Sequence, residues 1–436
     1  MVEARPTTEY SRLIDLKLAR EVAVESLPLI ISRRGHITAS GSGRFHGPLY
    51  TRDAAIVGLQ TLSKPQNGEL KILREGVRNT LIEIARHQGK FSNSDTREEQ
   101  GRYTHEIQYK DCDQERLGRI ANDGARWVKR VNGHLEGKNY FALDANPLWE
   151  GLFVEYILAT GDLALRERLW SNYEASQRWR FEYGDRDGDG LIEGGFEEGR
   201  SPRNMFWKDA DDSLIGESGQ YPEYPVAPLD VNAFAYRADL LGALLYESRG
   251  DLKNAAKLRE KAAWLKKLIN KLYWMEDVNL YAPALDKYKS PIRIETSDSV
   301  IPLWVGLPDE ERQKLLANEL SREDLFVEGI ALRTRSRNSS QYNPRSYQNG
   351  DYWNHLALIA GDAFESLGMH DEAKVFDSCI PTIVKSNFKE MGVVDDDGNI
   401  YPYVEPDSET GQDIPVACDF QAWVIGGVLG RTASIA

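Results

Sequence analysis

Cysteine is scarce in this sequence, which has three in 436 residues: Cys112, Cys379 and Cys418. An odd number without Cys-x-x-Cys spacing fits neither a disulfide framework nor a zinc site, and favours free thiols in a reducing compartment. The seven histidines are scattered, with no His-x-x-x-His pair. We therefore expect no metal site built from Cys or His.

Long apolar runs and an excess of basic residues are absent as well. The chain holds 54 Lys and Arg against 68 Asp and Glu, a formal net charge of -14. This balance repels phosphate backbones and anionic lipid, so we expect neither nucleic acid nor a membrane as a partner. The first residues carry charges in every turn and lack the apolar stretch of a secretory signal, which predicts a cytoplasmic protein.

Strand-like alternation is scarce, whereas helical apolar spacing is common. One helix face is predicted from steps of three or four residues between Leu70, Leu73, Val77, Leu81 and Ile84. Helical runs also stop at a glycine and restart near an aspartate suited to an N-cap at Gly161-Asp162, Gly250-Asp251 and Gly368 with Asp371. These three places predict tight helical hairpins.

Twelve helices are predicted, over 11–33, 52–63, 68–88, 144–160, 163–183, 230–248, 251–274, 296–306, 309–319, 351–367, 370–388 and 419–430. Six antiparallel pairs would close into a double ring, an all-α (α/α)6 toroid that uses residues 1–436 as one domain. An open helical solenoid is the alternative, but it requires a repeat of fixed period, and the three hairpin turns are unequally spaced.

Long loops connect these helices, over 34–51, 89–143, 184–229, 321–350 and 390–418. Compact domains seldom keep such loops unless they build a site. Loops at one end of a toroid converge on its central hole, and these are rich in Trp, Tyr, Asp, Glu and Arg. Aromatic faces among charged groups suit a sugar, whose CH faces stack while its hydroxyls need polar partners.

An Arg-Asp pair follows Tyr50 where the second predicted helix begins. Asp53 has a structural explanation as an acid in the first turn of a helix, where the helix dipole favours it. The functional alternative is that Arg52 and Asp53 bind hydroxyls at the closed end of a pocket.

Three carboxylates within four residues follow Trp207 in the segment Phe206 to Ser213. Such a cluster is usually a solvated loop. Beside Trp207, however, burial can raise the pKa of an aspartate into the range that a general acid needs. Asp209 is the predicted acid, and Asp212 is the alternative.

A third group of candidates lies near the C-terminus, where Glu405 stands between Tyr403 and Pro406. A carboxylate in this rigid, extended setting could activate a water molecule. One acid and one base, separated by roughly 6.5–9.5 Å, are the minimum for inverting glycoside hydrolysis.

Eight segments in one order carry a family resemblance. They are YTRDAAI, the stretch 101–107 with His105-Glu106-Ile107, YFALDANPLWEGLFVEYILATGD, DRDGDGLIE, FWKDADDS, YPVAPLDVNAFAY, NPRSYQNGDYWNH and PVACDFQAW. From about residue 45 onwards, the chain resembles the amylo-α-1,6-glucosidase domain of glycogen-debranching-like proteins. The wider group of toroidal inverting glycosidases includes glucoamylases, trehalases and mannosylglycerate or glucosylglycerate hydrolases.

The resemblance implies an (α/α)6 fold, inversion at the anomeric carbon and no cofactor. It gives the general acid role to Asp209 and the general base role to Glu405, with Asp144 in a segment that borders the pocket. The implied substrate-binding residues are Tyr50, Arg52, Asp53, His105, Glu106, Trp207, Asp212, Trp353, His355, Gln421 and Trp423. Relatives usually carry Pro-Glu-Leu where this chain has Tyr403-Val404-Glu405, which leaves Glu409 as an alternative base.

The segment from Asp185 to Glu193 begins like a calcium loop, with oxygen ligands at positions one, three and five and Gly190 at six. Position twelve is Phe196 instead of the bidentate glutamate of an EF-hand. A turn held by aspartate side chains is the favoured interpretation, and no bound metal is expected.

The sequence thus predicts an inverting, exo-acting α-glycosidase that releases one terminal sugar, glucose in the first place, from a small glycoside or oligosaccharide. Three alternatives stay open. The protein could be a hydrolase of the mannosylglycerate or glucosylglycerate type, a non-catalytic sugar-binding relative, or an epimerase that needs His105 and His355 to face each other. The oligomeric state is left open.

Overall fold

The structure is a computed structural model that describes residues 9–64, 70–122, 124–196, 198, 201–395, 397–406 and 413–435. In these ranges the helices are α1 Glu9–Ser26, α2 Thr51–Thr61, α3 Lys71–Arg86, α4 Gln114–Asn122, α5 Ala145–Thr160, α6 Leu163–Trp179, α7 Leu229–Ser248, α8 Leu252–Leu272, α9 Val300–Trp304, α10 Glu310–Leu320, α11 Asn354–Ser366, α12 His370–Asp377, α13 Ile380–Lys385 and α14 Ala422–Arg431. A π-helical turn, Arg180–Gly184, extends α6.

The strands are short and pair antiparallel. They are β1 Leu49–Tyr50, β2 Glu106–Gln108, β3 Val128–Val131, β4 His134–Asn139, β5 Ala227–Pro228, β6 Trp274–Met275, β7 Leu280–Tyr281, β8 Ala284–Leu285, β9 Phe326–Val327, β10 Ala331–Leu332, β11 Tyr352–Trp353, β12 Met391–Val394, β13 Ile400–Tyr401, β14 Val404–Pro406 and β15 Asp413–Pro415. The larger sheets run in the orders β1-β2-β4-β3 and β11-β12-β13.

Six helices close into an inner ring. Helix α2 packs against α5, α5 against α7, α7 against α9, α9 against α11, α11 against α14, and α14 back against α2. Along the chain these inner helices alternate with α1, α3, α6, α8, α10 and the pair α12 and α13. The predicted (α/α)6 toroid is therefore confirmed.

Burial separates the two kinds of helix. Every residue of α2 is buried, as expected of a helix with neighbours on all sides. Helix α8 instead buries one stripe at helical spacing: Ala255, Leu258, Ala262, Leu265 and Ile269. The ring also closes tightly, because a Cβ atom at Gly430 of α14 would lie 2.5 Å from the backbone oxygen of Gln60 in α2.

All twelve predicted helices occur, with shifted boundaries. The predicted helix 370–388 is divided into α12 and α13, because Pro381 lacks a backbone N–H and begins a new helix. Helix α11 begins at Asn354 instead of residue 351, since Tyr352–Trp353 forms β11. The short helix α4 was not predicted.

The predicted hairpin turns also occur. Gly161, Gly250 and Gly368 all have positive φ angles, and Asp162 and Asp251 cap α6 and α8 by accepting bonds from Leu165 and Asn254. The prediction for Asp371 was wrong, because this residue lies inside the first turn of α12.

Because each outer helix returns the chain, the inner helices begin at the same end of the ring. Strands β1, β5 and β11 lead directly into α2, α7 and α11. The N-terminal ends of the inner helices therefore surround one region, and the long loops converge there.

All three cysteines are buried, and they form no disulfide with one another. Among the helices that the structure describes, none is both long and apolar enough to cross a membrane. One hydrophobic core runs from Leu16 to Leu429. Residues 1–8 lie outside the described ranges, so the single domain over 1–436 stays a prediction.

Candidate active site

A cavity of about 200 Å³ lies among the N-terminal ends of the inner helices. The predicted residues that line it are Tyr50, Arg52, Asp53, His105, Glu106, Trp207, Asp209, Trp353 and Trp423. The lining residues that sequence reasoning missed are Ala39, Phe45, Arg116, Tyr347, Gln348 and Glu390. We call this the inner cavity.

Helix α2 supplies Arg52 and Asp53 to the inner cavity from its first turn. The Arg52 guanidinium is held by the carboxylate of Asp144, to which it donates from Nε and Nη2. Both side chains are buried, and the Asp144 charge raises the pKa of Arg52. Arg52 is thus a fixed cation with a defined direction.

Burial raises the pKa of the Asp53 carboxyl to about 7. The neighbouring Arg52 cation opposes this effect, whereas the charges of Glu390 and Asp209 add to it. Asp53 therefore shares the inner cavity with two other acids that are distant in sequence. Such a set of acids with a perturbed pKa is typical of a functional site.

Tyr50 and Glu106 belong to one hydrogen-bonded group on paired residues of β1 and β2. The Tyr50 hydroxyl donates to Glu106 Oε1 at 2.7 Å, and Asn139 Nδ2 donates to Oε2 at 3.0 Å. Arg116 of α4 reaches Tyr50 Oη at 3.3 Å. This network fixes the wall of the cavity on the side of β2.

The loop that carries Asp209 is anchored on both sides of this residue. Gln348 Nε2 donates to the backbone oxygen of Trp207 at 2.6 Å, and its Oε1 accepts from the Ala210 N–H at 3.0 Å. Lys208 Nζ lies 2.8 Å from Asp298 Oδ2. The Asp209 side chain is only half-buried and lines the cavity between these anchors.

A second cavity of about 530 Å³, which we call the outer cavity, adjoins the inner one. The two cavities share three lining residues, His105, Glu106 and Asp209. Asp209 therefore lies where the two spaces meet.

Glu390 lines the inner cavity and, of the described residues, is not one that lines the outer cavity. Its side chain is buried, and Gln421 Nε2 donates to its Oε1 at 3.0 Å. Gln421 is not one of the described residues that line the inner cavity, and its Nε2 also lies 3.5 Å from Asp53 Oδ1, so it contacts two acids of this cavity. The start of α11 fixes the backbone of Glu390, since the N–H of Asn354 donates to the Glu390 oxygen.

Glu405, the predicted base, lies half-buried on β14, where it pairs with Ile414 of β15. Of the described residues, it is not one that lines the inner or the outer cavity. Glu409, the alternative base, lies outside the described residues. The role of Glu405 stays a prediction that the cavity lining does not support.

Asp212 and His355 do not line the inner cavity within the described part of the chain either. The Asp212 carboxylate accepts from Ser346 and Asn349 and so joins two loops. His355 stacks on Trp423 with ring centroids 4.3 Å apart. Burial, followed by the charge of Arg52, lowers the pKa of His355 to about 3.

The aspartate loop of the calcium-like segment brings ligand atoms of Asp185, Asp187 and Asp189 within 4.8 Å of one another. Lys289 Nζ lies 3.0 Å from Asp187 and 3.2 Å from Asp189. An ammonium group thus pairs with two of the three acids that could hold a cation. The expectation of no bound metal stays a prediction.

Residues 96–412 match the family described as "Mannosylglycerate hydrolase MGH1-like glycoside hydrolase domain". This chain belongs to that family. It is therefore a glycoside hydrolase, and the predicted class, an inverting glycoside hydrolase, is confirmed together with its expected relation to mannosylglycerate hydrolases.

Solved structures share the fold. The GH63 mannosylglycerate hydrolase from Thermus thermophilus in complex with Tris is 17% identical, with a TM-score of 0.65, covering 95% of this chain and 100% of that chain. The same enzyme in complex with glucose is 16% identical with a TM-score of 0.64, covering 95% and 99%. A protein titled "Glycosidase Wild Type" is 14% identical with a TM-score of 0.56, covering 97% and 98%.

Proposed function

We propose that this glycoside hydrolase binds one terminal hexose, α-linked glucose in the first place, in the inner cavity. Asp209 is the general acid, and Glu390 is the general base. The observation that carries this proposal is the position of Asp209 at the junction of the two cavities while Glu390 lines the inner one alone.

The size of the inner cavity supports a single sugar ring. A space of about 200 Å³ accommodates one hexose and is too small for two. The released group must then occupy the outer cavity, and the glycosidic oxygen must lie between the two. An acid at this junction can protonate the departing oxygen.

Inversion requires a base that activates water on the opposite face of the sugar. Glu390 meets this requirement better than Glu405, because it borders the space that the sugar would fill. Gln421 holds one oxygen of Glu390 through a donated hydrogen bond, which orients the carboxylate. The water would attack the anomeric carbon as Asp209 gives its proton to the leaving group.

The remaining lining residues have the properties that a sugar requires. Arg52 and Asp53 offer a donor and an acceptor at the α2 end of the cavity. Trp207 and Trp353 meet edge to face, with ring centroids 5.8 Å apart, and present aromatic surface to CH groups.

Two substrates with different leaving groups separate the acid from the base. Fluoride needs little protonation to depart, so α-glucosyl fluoride tests the base without the acid. We expect Asp209→Asn to lose about 10³-fold or more in kcat on a disaccharide but far less on the fluoride. Glu390→Gln should lose about as much on both substrates.

Glu405→Gln is the matched control for this assay, and thermal unfolding checks that all three variants are folded. We expect it to keep the parental rate on both substrates. A Glu405→Gln variant that lost both activities, beside an active Glu390→Gln, would return the base role to Glu405. Parental rates in all the variants would reject the proposed mechanism.

Mannosylglycerate is the second candidate substrate, favoured by the description of the family. The assay therefore includes α-mannosyl fluoride and mannosylglycerate beside the glucosides. The epimerase alternative loses support, since His355 packs on Trp423 instead of lining the inner cavity opposite His105.

A further inference from the structure

We propose that the outer cavity selects an uncharged leaving group at least as large as a second sugar ring, which stacks on Trp127, and that it disfavours glycerate. This inference rests on the proposed function, because it takes the outer cavity as the space for the leaving group. It distinguishes the two candidate substrate classes, neutral glycosides and glycosylglycerates.

The wall of the outer cavity comes from a small unit between α3 and α5. Strands β2, β3 and β4 and helix α4 pack around a core of their own, formed by Cys112, Leu117 and Val128. This unit supplies Ile120 and residues 124–127 to the outer cavity. It also supplies Arg116 to the inner cavity, so one piece of structure contacts both spaces.

Trp127 is a fixed aromatic surface in this wall. Its indole lies against β4 at Gly137, where an added Cβ atom would be 2.8 Å from Trp127 Cε3. The absence of a side chain at Gly137 therefore lets the ring lie close to the strand. Phe141 and Pro202 also line the cavity. Flat apolar surfaces of this kind stack on the CH face of a sugar.

The outer cavity offers an anion no unpaired cation among its described lining residues. Among its described lining residues, three are acidic, Asp95, Glu106 and Asp209. The guanidinium of Arg126 is already engaged, since its Nη1 donates to Asp95 at 3.2 Å. Burial lowers the pKa of His105 to about 3, so this residue is uncharged at neutral pH. A glycerate carboxylate would therefore find no unpaired cation among these residues.

The size of the outer cavity points in the same direction. Its volume of about 530 Å³ exceeds that of the inner cavity, which is about 200 Å³. A three-carbon acid would leave most of this space and the Trp127 surface in contact with water. A sugar ring would fill more of the space and cover the Trp127 surface.

The test compares substrates that share the donor sugar identified with the glycosyl fluorides. We expect kcat/KM to be at least about tenfold higher for the best neutral disaccharide than for the matching glycosylglycerate, which corresponds to about 1.4 kcal/mol. The panel contains the α-1,2-, α-1,3-, α-1,4- and α-1,6-linked disaccharides. A higher value for the glycosylglycerate than for every disaccharide would overturn the inference.

Trp127→Ala tests the stacking surface. We expect kcat/KM for the disaccharide to fall about fivefold, since aromatic stacking contributes about 1 kcal/mol, while turnover of the fluoride stays within about twofold. Trp127→Phe should recover most of the loss. The matched control is Trp264→Ala, which removes an exposed tryptophan of α8 and should change neither value.

The controls separate the possible failures. An equal loss on the fluoride and the disaccharide in Trp127→Ala would show a structural role for the ring and overturn the inference. Absence of glycosyl fluoride turnover by the parent enzyme would reject the proposed function itself. Turnover of the fluoride together with a preference for glycosylglycerate would reject this inference alone.

Discussion

Gln348 provides a direct test of how the acid is positioned. Its side chain is buried, and its backbone has a left-handed conformation with a φ of 67°. The side-chain amide of Gln348 bonds to the backbone of Trp207 and to the backbone of Ala210, which lie on either side of Asp209. Gln348 therefore holds the short backbone segment from which the acid projects, although it need not touch the departing oxygen.

Gln348→Ala would remove both bonds and leave two buried backbone groups without these partners. A buried group without its partner costs about 1–3 kcal/mol, so we expect the free energy of unfolding to fall by about 3 kcal/mol. A displacement of the acid by about 1 Å would lower kcat on a disaccharide by about 10²-fold. KM should change much less, because Arg52 and Asp53 remain in place.

The assay measures kcat and KM on a disaccharide and on α-glucosyl fluoride. Since fluoride departs with little help from the acid, Gln348→Ala should hydrolyse it at nearly the parental rate. Ser346→Ala is the matched control, because Ser346 lies on the same loop but bonds to Asp212. Equal losses on both substrates would refute the reasoning, since they would show that Gln348 supports the whole site and not the acid alone.

Two further predictions concern buried and clustered charges. Burial raises the pKa of Asp53 to about 7, so the folded state binds the Asp53 proton more tightly than the unfolded state does. The contribution of Asp53 to stability therefore falls as the pH rises from about 4 to about 7. Between pH 5 and pH 8, the free energy of unfolding measured in urea should therefore fall by about 2 kcal/mol more for the parent than for Asp53→Asn. An identical pH dependence of the two proteins would contradict this. Lys289 already pairs with Asp187 and Asp189, so neither calcium nor EDTA should change the Tm of the parent, whereas calcium should raise the Tm of Lys289→Ala. A calcium-dependent Tm in the parent would show that the ion displaces the ammonium group.

The helices could be predicted because their signals are local. Apolar spacing marks the buried stripe of α8, and Gly161-Asp162 marks the end of one helix and the start of the next. The apolar spacing did not predict the division at Pro381 or the small unit around α4. The strands of this unit pair with residues far along the chain, so their signal is not local.

The candidate site shows the same difference between local signals and long-range structure. Arg52 and Asp53 were predicted because their motif lies at the start of a helix, where position and chemistry coincide. Glu390 was missed because its position depends on long-range structure. Two consecutive residues before Lys389 adopt left-handed conformations, Asn387 and Phe388, and β12 then pairs with β11 beside α11. Asparagine is enriched at positive φ angles, but a residue such as Phe388 gives no signal of this conformation in the sequence.

The closed ring brings several acids together at the N-terminal ends of the inner helices. Asp53 and Asp230 lie in the first turns of α2 and α7, Asp144 lies directly before α5, and Asp298 lies in the 3-10 turn Ser297–Ser299 that precedes α9. Unpaired N–H groups give each helix start a partial positive charge that favours a nearby carboxylate.

Burial opposes ionisation of Asp53 and Asp230. It raises the pKa of Asp230 to about 8, and the Asp144 charge adds to the rise. Arg52 and Lys208 provide the compensating positive charges. Because a protonated carboxyl both donates and accepts, Asp53 can, in the proposed function, bond to a sugar hydroxyl in either direction. Of the four acids, Asp53 is the one among the described residues that lines the inner cavity, whereas Asp144 and Asp298 hold Arg52 and Lys208. The toroid thus gathers acids that are far apart in sequence around one site, and this requires its inner helices to begin at the same end.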